Sequence, residues 1–382
     1  MNISSNKLTE NFIYKTTFFI ALAVSIFAVS AVNPISCIIS IIICAVIYSV
    51  DSNTSLLPII TFFLIVLHSI GTYGEFFLIS SLTIGSLIFI ILSKFEKIKN
   101  AVSSAEFSSA LSISVALTAT ILITTKYFGI GATGNTVIEM MKSYISLGFH
   151  PNWRGILYGT IVMVLMITYP RKFKKLSKII SPLFAALLVA YVLNLFLIPK
   201  GTVSPIELVE TPEFKITNIF NCEKNLSFDF LTVIRLIVSS LAVAVTLLMS
   251  NSESVRKENY LSGGSSAVIS VFCGFSIPAK VVNNSKEFGF GLLSAAIIAI
   301  ISLITNGYER MPISACAVVF IVGAWQCVDI SKIKLSFASA KNIIVFCLAI
   351  VITMLTDISI GCISGVILNL IAKNLFKKKP VV

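Results

Sequence analysis

Long stretches without an acidic or basic residue constrain this chain more than any other feature. The 382-residue sequence contains twelve such stretches of at least 15 residues, and a helix needs about 20 apolar residues to cross a bilayer core. Lipid offers the backbone no hydrogen-bond partners, so such stretches cross a membrane as helices. The sequence therefore predicts an all-α polytopic membrane protein. The stretches are 16–50, 52–74, 76–93, 107–125, 155–170, 179–199, 236–252, 259–279, 288–308, 311–328, 342–356 and 358–372.

The apolar stretches predict 14 transmembrane segments. The first stretch is interrupted by Asn33-Pro34, a dipeptide typical of turns, and is interpreted as two helices. Residues 276–286 are too polar to face lipid but lie between two apolar stretches, which predicts a short broken helix. With both termini cytoplasmic, the inner loops and termini together with Lys286 hold 20 of the 29 basic residues. This distribution obeys the positive-inside rule, so we expect a multi-pass protein of the cell (inner or plasma) membrane.

Fourteen segments divide the chain into two halves of seven. The outer loop between the halves has no apolar periodicity, so we expect an extracellular excursion without a fold of its own. The predicted divisions are a cytoplasmic tail at 1–15, a first repeat at 16–198, the extracellular loop at 199–229, a second repeat at 230–373 and a basic cytoplasmic tail at 374–382.

Composition excludes several other classes of protein. Only 12% of the residues are charged, against roughly a quarter in soluble globular domains. The net charge of +12 resides mainly in short loops, which indicates membrane orientation rather than nucleic-acid binding. The eight cysteines show no metal-ligand spacing, and no catalytic motif is present. We therefore expect no enzymatic activity, cofactor or metal.

Two polar interruptions occupy equivalent positions in the two halves. The first, Asp51 to Ser55, precedes the apolar run of segment three, and the second, Gly274 to Asn284, surrounds segment ten. Interrupted helices at matched positions are the best sequence indication of a transporter binding site, because half-helix N-termini attract anions. The alternatives are an ordinary capped turn for the first interruption and a cytoplasmic loop with an ordinary lysine for the second.

Other ionisable residues in or near the spans are weaker candidates. His68 lies in an apolar span and His150 in an outer loop, and neither has a second ligand at metal spacing. Asp357 lies between two apolar runs and is expected to cap a helix at a tight outer turn. Arg235 begins segment eight, where its side chain can extend to the membrane interface.

Several stretches resemble the SulP family of sulfate permeases and related anion transporters. Residues 311–329 (MPISA…VGAW…VD) and 353–365 (TMLTDISIGCISG) are similar to the family's "IPLAALAGILIVVAW…VD" and "VLTDLLVGVAVG". Upstream, Glu258 … Gly263 … Phe272-Cys273-Gly274-Phe275 resembles "NQELIAQGLANIASGLFGGF". The resemblance covers about 12–375 and is best over 230–370.

The resemblance implies a seven-plus-seven inverted repeat with a core domain and a gate domain. It also implies that an anion binds between the N-termini of segments three and ten. Ser49 to Ser52 occupy the place of the family's "SVGP", and Ser25 falls near the glutamine of its "PQAMAY" motif. The residues expected at the substrate site are Ser25, Phe27, Ser52, Asn53, Thr54, Ser55, Phe275, Ser276, Ala279, Lys280 and Val281.

The sequence also departs from the family pattern. The "PATGAISRTA" stretch lacks its Thr-Gly pair and arginine, and Lys280 is interpreted as a substitute for the lost charge. Met249 stands where relatives that couple to Na⁺ or H⁺ carry a carboxylate, which argues against cation coupling. We expect only the transmembrane core, without the STAS domain that usually follows segment fourteen. Such a core can still form a homodimer through its spans.

These observations favour a transporter of a small anion such as sulfate, bicarbonate, chloride or a dicarboxylate, working by elevator-type alternating access. Two alternatives stay open. One is a nucleobase-type symporter of the same architecture, although its carboxylates in segments eight and ten are not evident. The other is a transport-inactive membrane scaffold or partner subunit, which the altered motifs support.

The orientation is testable by labelling. A cysteine introduced at Glu210 in the extracellular loop should react with an impermeant thiol reagent applied from outside. One at Lys174, between segments six and seven, should react only after the membrane is permeabilised. Labelling of both sites from the same side would contradict the 14-segment topology.

Overall fold

The computed structural model describes residues 56–197, 207–208, 229–252, 311–337 and 339–375, and residues 13, 14, 17, 18, 21 and 25. Regular structure in this part is helical, apart from an isolated bridge between Leu208 and Pro312. The prediction of an all-α membrane protein is confirmed. The α-helices are α1 (Leu56–Tyr73), α2 (Glu75–Leu92), α3 (Glu96–Val102), α4 (Ala105–Phe128), α5 (Val137–Leu147), α6 (Trp153–Lys172), α7 (Pro182–Leu197), α8 (Phe230–Ser252), α9 (Ile313–Gln326), α10 (Ile330–Ser336), α11 (Ala340–Leu355) and α12 (Ile358–Leu375).

The described helices differ in how they could cross a membrane. In α4 and α8, the segments Ala105–Phe128 and Phe230–Met249 are each long and apolar enough to span alone. The pairs α2–α3 and α9–α10 pass the same test together but are bent by 116° and 48°. The remaining apolar helices, among them α7, α11 and α12, are shorter. Exposed apolar side chains along α6, α8 and α11 are expected where a helix faces lipid.

Polar residues between the apolar runs cap the helices. The Ser104 hydroxyl accepts from the backbone N–H of Phe107 at the start of α4, and Asn152 accepts from Arg154 and Gly155 at the start of α6. Gly129 ends α4 in the left-handed conformation at φ 62°, which glycine adopts without steric cost. These caps satisfy backbone groups that a helix end leaves without intrahelical partners.

Successive spans run in opposite directions, and hydrogen bonds join the end of one helix to the start of another at each end of the bundle. We call the end at which α4 ends and α6, α8 and α12 begin the outer end, following the predicted orientation. There the Asn152 N–H donates to Phe128 O at 2.8 Å, and the Ile313 N–H donates to Glu207 O at 3.1 Å. At the opposite, inner end, the Ser109 and Ser336 hydroxyls are 2.6 Å apart.

The helices form two packing groups. The core group consists of α1, α2 and α8, which pack against one another. The gate group consists of α4, α6, α7, α9, α11 and α12, which form a second set of mutual contacts. Helix α12 also packs against α8 and α1, so it lies between the groups.

Contacts within the gate group have the pairing expected of an inverted repeat. Helices α4, α6 and α7 correspond to predicted segments five to seven, and α9, α11 and α12 to segments twelve to fourteen. Exchanging the two halves turns the α4–α11 contact into α9–α6, and α11–α12 into α6–α7. The α4–α9 contact maps onto itself. This correspondence is what a seven-plus-seven inverted repeat requires.

The interior is filled by apolar side chains from both groups. Phe63, Phe77, Phe89, Phe107 and Phe320 are among the largest fully buried residues. The rings of Phe63 in α1 and Phe320 in α9 meet edge to face, with centroids 6.1 Å apart. Within a bilayer such packing, rather than the expulsion of water, supplies most of the attraction between helices.

Gly85 permits the closest approach within the core group. A Cβ atom built on Gly85 of α2 would lie 2.6 Å from the backbone oxygen of Ser240 and 2.8 Å from the Cβ of Val243, both in α8. Because one of these atoms belongs to the backbone, α8 itself would have to move. Small residues that let two backbones approach are typical of membrane helix interfaces.

Gly85→Ala should therefore destabilise the protein by about 1–3 kcal/mol, the usual effect of overpacking. The measurement is thermal unfolding of the purified chain in detergent, which should show a lower Tm. Gly155→Ala in α6 is the matched control, because a Cβ there meets its nearest neighbours in Ser314 at an ordinary 3.8 Å. Equal midpoints for the two variants would contradict the close α2–α8 contact.

Candidate functional site

Of the residues expected at the substrate site, Ser25 is described. It is completely buried, and its hydroxyl donates to the carbonyl of Ala21 at 2.7 Å. Its role in substrate binding stays a prediction. The other expected residues lie outside the described part of the chain, namely Phe27, Ser52, Asn53, Thr54, Ser55, Phe275, Ser276, Ala279, Lys280 and Val281.

Residues that flank three of the predicted site segments share one buried apolar cluster. Phe18 and Ala21 precede Ser25, Leu57 and Ile60 open α1, and Met249 lies in the inner part of α8. Helix α1 begins at Leu56, directly after the polar residues 51–55. Of these helices, α1 and α8 pack directly against each other, and the residues next to Ser25 belong to the same large apolar cluster. Met249 is itself buried, and its correspondence to the carboxylate of cation-coupled relatives stays a prediction.

A polar cluster that sequence reasoning did not assemble lies at the outer end, between the two groups. Asp357 precedes α12, and its side chain is only 4% exposed. Its Oδ1 accepts from the backbone N–H groups of Ser359 at 2.8 Å and Ile360 at 3.0 Å. Its Oδ2 accepts from Nη1 of Arg235, in α8, at 3.0 Å. One carboxylate thus caps a gate helix and pairs with a cation of the core group.

His68 of α1 completes this cluster. Its Nδ1 lies 3.0 Å from the backbone oxygen of Asn135, and because a carbonyl oxygen can only accept, Nδ1 is the donor. Its Nε2 lies 3.8 Å from Oδ2 of Asp357, where a protonated ring would be attracted to the carboxylate. The cluster of Arg235, His68 and Asp357 is called the outer cluster below.

The sequence predicted part of this arrangement. The prediction that Asp357 caps a helix at a tight turn is confirmed by its two backbone hydrogen bonds. Arg235, expected to extend to the membrane interface, instead binds Asp357, although its side chain is 37% exposed. The sequence feature that could have predicted the pair is the position of Arg235 and Asp357, two opposite charges, at the edges of apolar runs. Ionisable groups inside a membrane protein tend to pair.

A second set of polar contacts joins the inner ends of the gate helices to α3. The Asn369 side-chain amide in α12 donates to Ala101 O at 2.9 Å, and also to the Ser104 hydroxyl. The Asn342 side-chain amide donates to Oε1 of Glu106 at 3.1 Å. The first bonds attach α3 to α12, and the last joins α11 to α4. Helix α3 also packs against α8 of the core group, so it lies between the two groups.

The described charged groups near the ends of the bundle include a helix cap and an exposed ion pair. Hydrogen bonds from the Ser331 hydroxyl and backbone lower the pKa of Asp329, which caps α10. Lys126 and Glu207 form a 2.7 Å ion pair near the outer end, but both side chains are well exposed, which limits its contribution. Within the described ranges, no group of His, Cys, Asp or Glu side chains could hold a metal ion.

The paired halves, the core and gate groups and the bent helices define the fold of an inverted-repeat transporter domain. Similar solved structures include the transmembrane domain of BicA, a cyanobacterial bicarbonate transporter. BicA is 14% identical to this chain at a TM-score of 0.65, and the match covers 95% of this chain and 98% of that domain. A structure of SLC26A9 gives a TM-score of 0.64 at 11% identity and covers 97% of this chain.

A structure of the murine anion transporter Slc26a9 in an inward-facing state also matches, with a TM-score of 0.55, 11% identity and 98% of this chain covered. The matches span 65% and 68% of the two SLC26A9 chains. No protein-family model and no curated protein sequence matches the chain. These matches confirm the helical fold that the resemblance to the SulP family implies.

Proposed function

We propose that this protein is a secondary membrane transporter of a small anion. The observation that carries the proposal is the match to the BicA transmembrane domain over nearly the full length of both chains. The similar murine Slc26a9 structure is also that of an anion transporter. The candidate substrates are sulfate, bicarbonate, chloride and a dicarboxylate.

We propose that the anion binds between segments one, three, eight and ten. A helix N-terminus carries partial positive charge and free N–H groups, and an apolar surrounding strengthens their attraction for an anion. The start of α1 at Leu56 and the buried cluster around Leu57, Ile60 and Met249 support such a site. We propose Ser52 to Ser55 and Ala279 to Val281 as the residues that hold the anion, with Lys280 supplying a full positive charge.

The mechanism would be elevator-type alternating access, in which the core group moves against the gate group with the anion bound. The separation of the described helices into two packing groups supports this mechanism. Much of the contact between the groups is apolar, and apolar surfaces can shift without losing directional bonds.

The altered motifs favour one competing function, a transport-inactive scaffold or partner subunit. A nucleobase-type symporter is less well supported, because the carboxylates that this function needs in segments eight and ten are not evident in the sequence. Uptake measurements separate the three functions, since a scaffold carries nothing and a symporter of this type carries uncharged bases with a cation.

Purified protein in liposomes should take up at least one labelled anion from a panel of sulfate, bicarbonate, chloride and succinate. Because Met249 cannot bind a cation, we expect the uptake rate to change little when a Na⁺ or pH gradient is imposed. Protein-free liposomes are the control. Folded protein that carries none of these anions would support the scaffold function instead.

Lys280→Met tests the proposed cation at the site, because it keeps most of the side-chain volume and removes the charge. Loss of a charge-assisted hydrogen bond of about 1.5–3 kcal/mol should weaken anion affinity roughly ten- to a hundredfold. The measurement is the concentration dependence of uptake. Lys286→Met is the matched control and should leave affinity unchanged. Unchanged affinity in Lys280→Met would remove Lys280 from the site.

A further inference from the structure

The outer cluster links the core group to the gate group by directional polar bonds. Arg235 and His68 belong to α8 and α1 of the core group, whereas Asp357 begins α12 of the gate group. His68 also bonds to the carbonyl of Asn135, in the segment between the gate helix α4 and α5. Two of the three core helices, α1 and α8, are thus tied to the gate group at this end.

The burial of Asp357 makes this link sensitive to distance. A carboxylate that is 4% exposed is stable only while paired and hydrogen-bonded, since a buried charge without a partner is strongly unfavourable. The 3.0 Å contact with Arg235 would be lost after a displacement of a few ångströms. Movement of the core group at this end must therefore separate the pair or expose both groups to water.

The two carboxylate oxygens of Asp357 have different partners. Oδ1 accepts the two backbone N–H groups that begin α12, and Oδ2 faces Arg235 and His68. Helix capping alone needs only the first oxygen, and asparagine caps a helix about as well as aspartate. The contacts of Oδ2 with Arg235 and His68 are therefore not needed to begin α12.

We propose that Arg235, His68 and Asp357 form a latch that holds the outer ends of the core and gate groups together in this conformation. The latch must open before the core group can move, so its strength sets the population of this conformation. The proposal rests on the proposed transport by alternating access, but it concerns the conformational equilibrium and needs no substrate.

The test is a distance measurement between the groups in the full chain. Spin labels are placed at Phe230→Cys in α8 and Phe196→Cys in α7, which are both 82% exposed, after replacement of the eight native cysteines. Distance distributions are recorded by pulsed electron paramagnetic resonance in lipid nanodiscs without anion. In the Asp357→Asn and Arg235→Gln variants, we expect a second distance population. The ratio of this population to the first should be about tenfold higher than in the parent protein, because each variant loses one charge-assisted hydrogen bond.

Arg235→Gln and three further variants separate the latch from a role in folding. Arg235→Gln retains Asp357 and hence the α12 cap, while the double variant Arg235→Gln/Asp357→Asn leaves no charge unpaired and should behave like the single variants. Arg235→Lys should restore the parent distribution. Arg154→Gln, which removes an exposed arginine from the outer end of α6, is the matched control and should change nothing.

The proposal is wrong if the parent distribution persists in Asp357→Asn and Arg235→Gln, each shown to be folded by circular dichroism and gel filtration. It is also wrong if Asp357→Asn alone shifts the distances, because the effect would then come from the start of α12. Anion uptake by the parent protein is measured separately. A distance shift in a protein that carries no anion would support the latch and reject the proposed transport function.

Discussion

The structure depends on one constraint, the need of every backbone N–H and C=O group within lipid to find a partner in the protein. Helices satisfy it along their length, so difficulty arises only at their ends. The chain places serine, threonine, asparagine or aspartate at many of these ends, and Ser104, Asn152, Asp329 and Ser339 each accept from a backbone N–H. Bends such as that between α2 and α3 occur where the apolar sequence gives way to charged residues.

Because lipid imposes this constraint, the apolar runs of the sequence predict the spans well. The runs 107–125, 155–170 and 358–372 correspond to helices Ala105–Phe128, Trp153–Lys172 and Ile358–Leu375. The sequence does not predict α5 or α10 as helices, because both are short and carry charges. Their formation depends on caps from Thr136 and Asp329 and on packing against helices distant in sequence.

The functional residues were harder to predict, because side-chain pairing depends on register between helices that the sequence does not reveal. Arg235 and Asp357 are 122 positions apart, and each borders an apolar run, which is consistent with an ordinary interfacial residue. Only the fold shows that they meet, and that His68 of a third helix joins them. The prediction of the substrate residues rests on matched positions in the two halves, a relation that sequence can show. The packing of α1 against α8 next to the predicted site segments needed the structure.

The described polar contacts that involve both groups lie at the two ends of the bundle. Their positions affect how one group could move against the other. At the inner end, Asn369 attaches α3 to the gate group while α3 also packs against α8 of the core group, so the covalent crossing between the groups runs through α3. At the outer end, the crossing is the non-covalent cluster around Asp357. Apolar contacts such as that of Phe63 with Phe320 lie between these ends. Dispersion forces vary gradually with displacement, whereas a buried ion pair is lost over a few ångströms. Under the proposed mechanism, the steepest loss of interaction energy among the described contacts would therefore fall at the outer end.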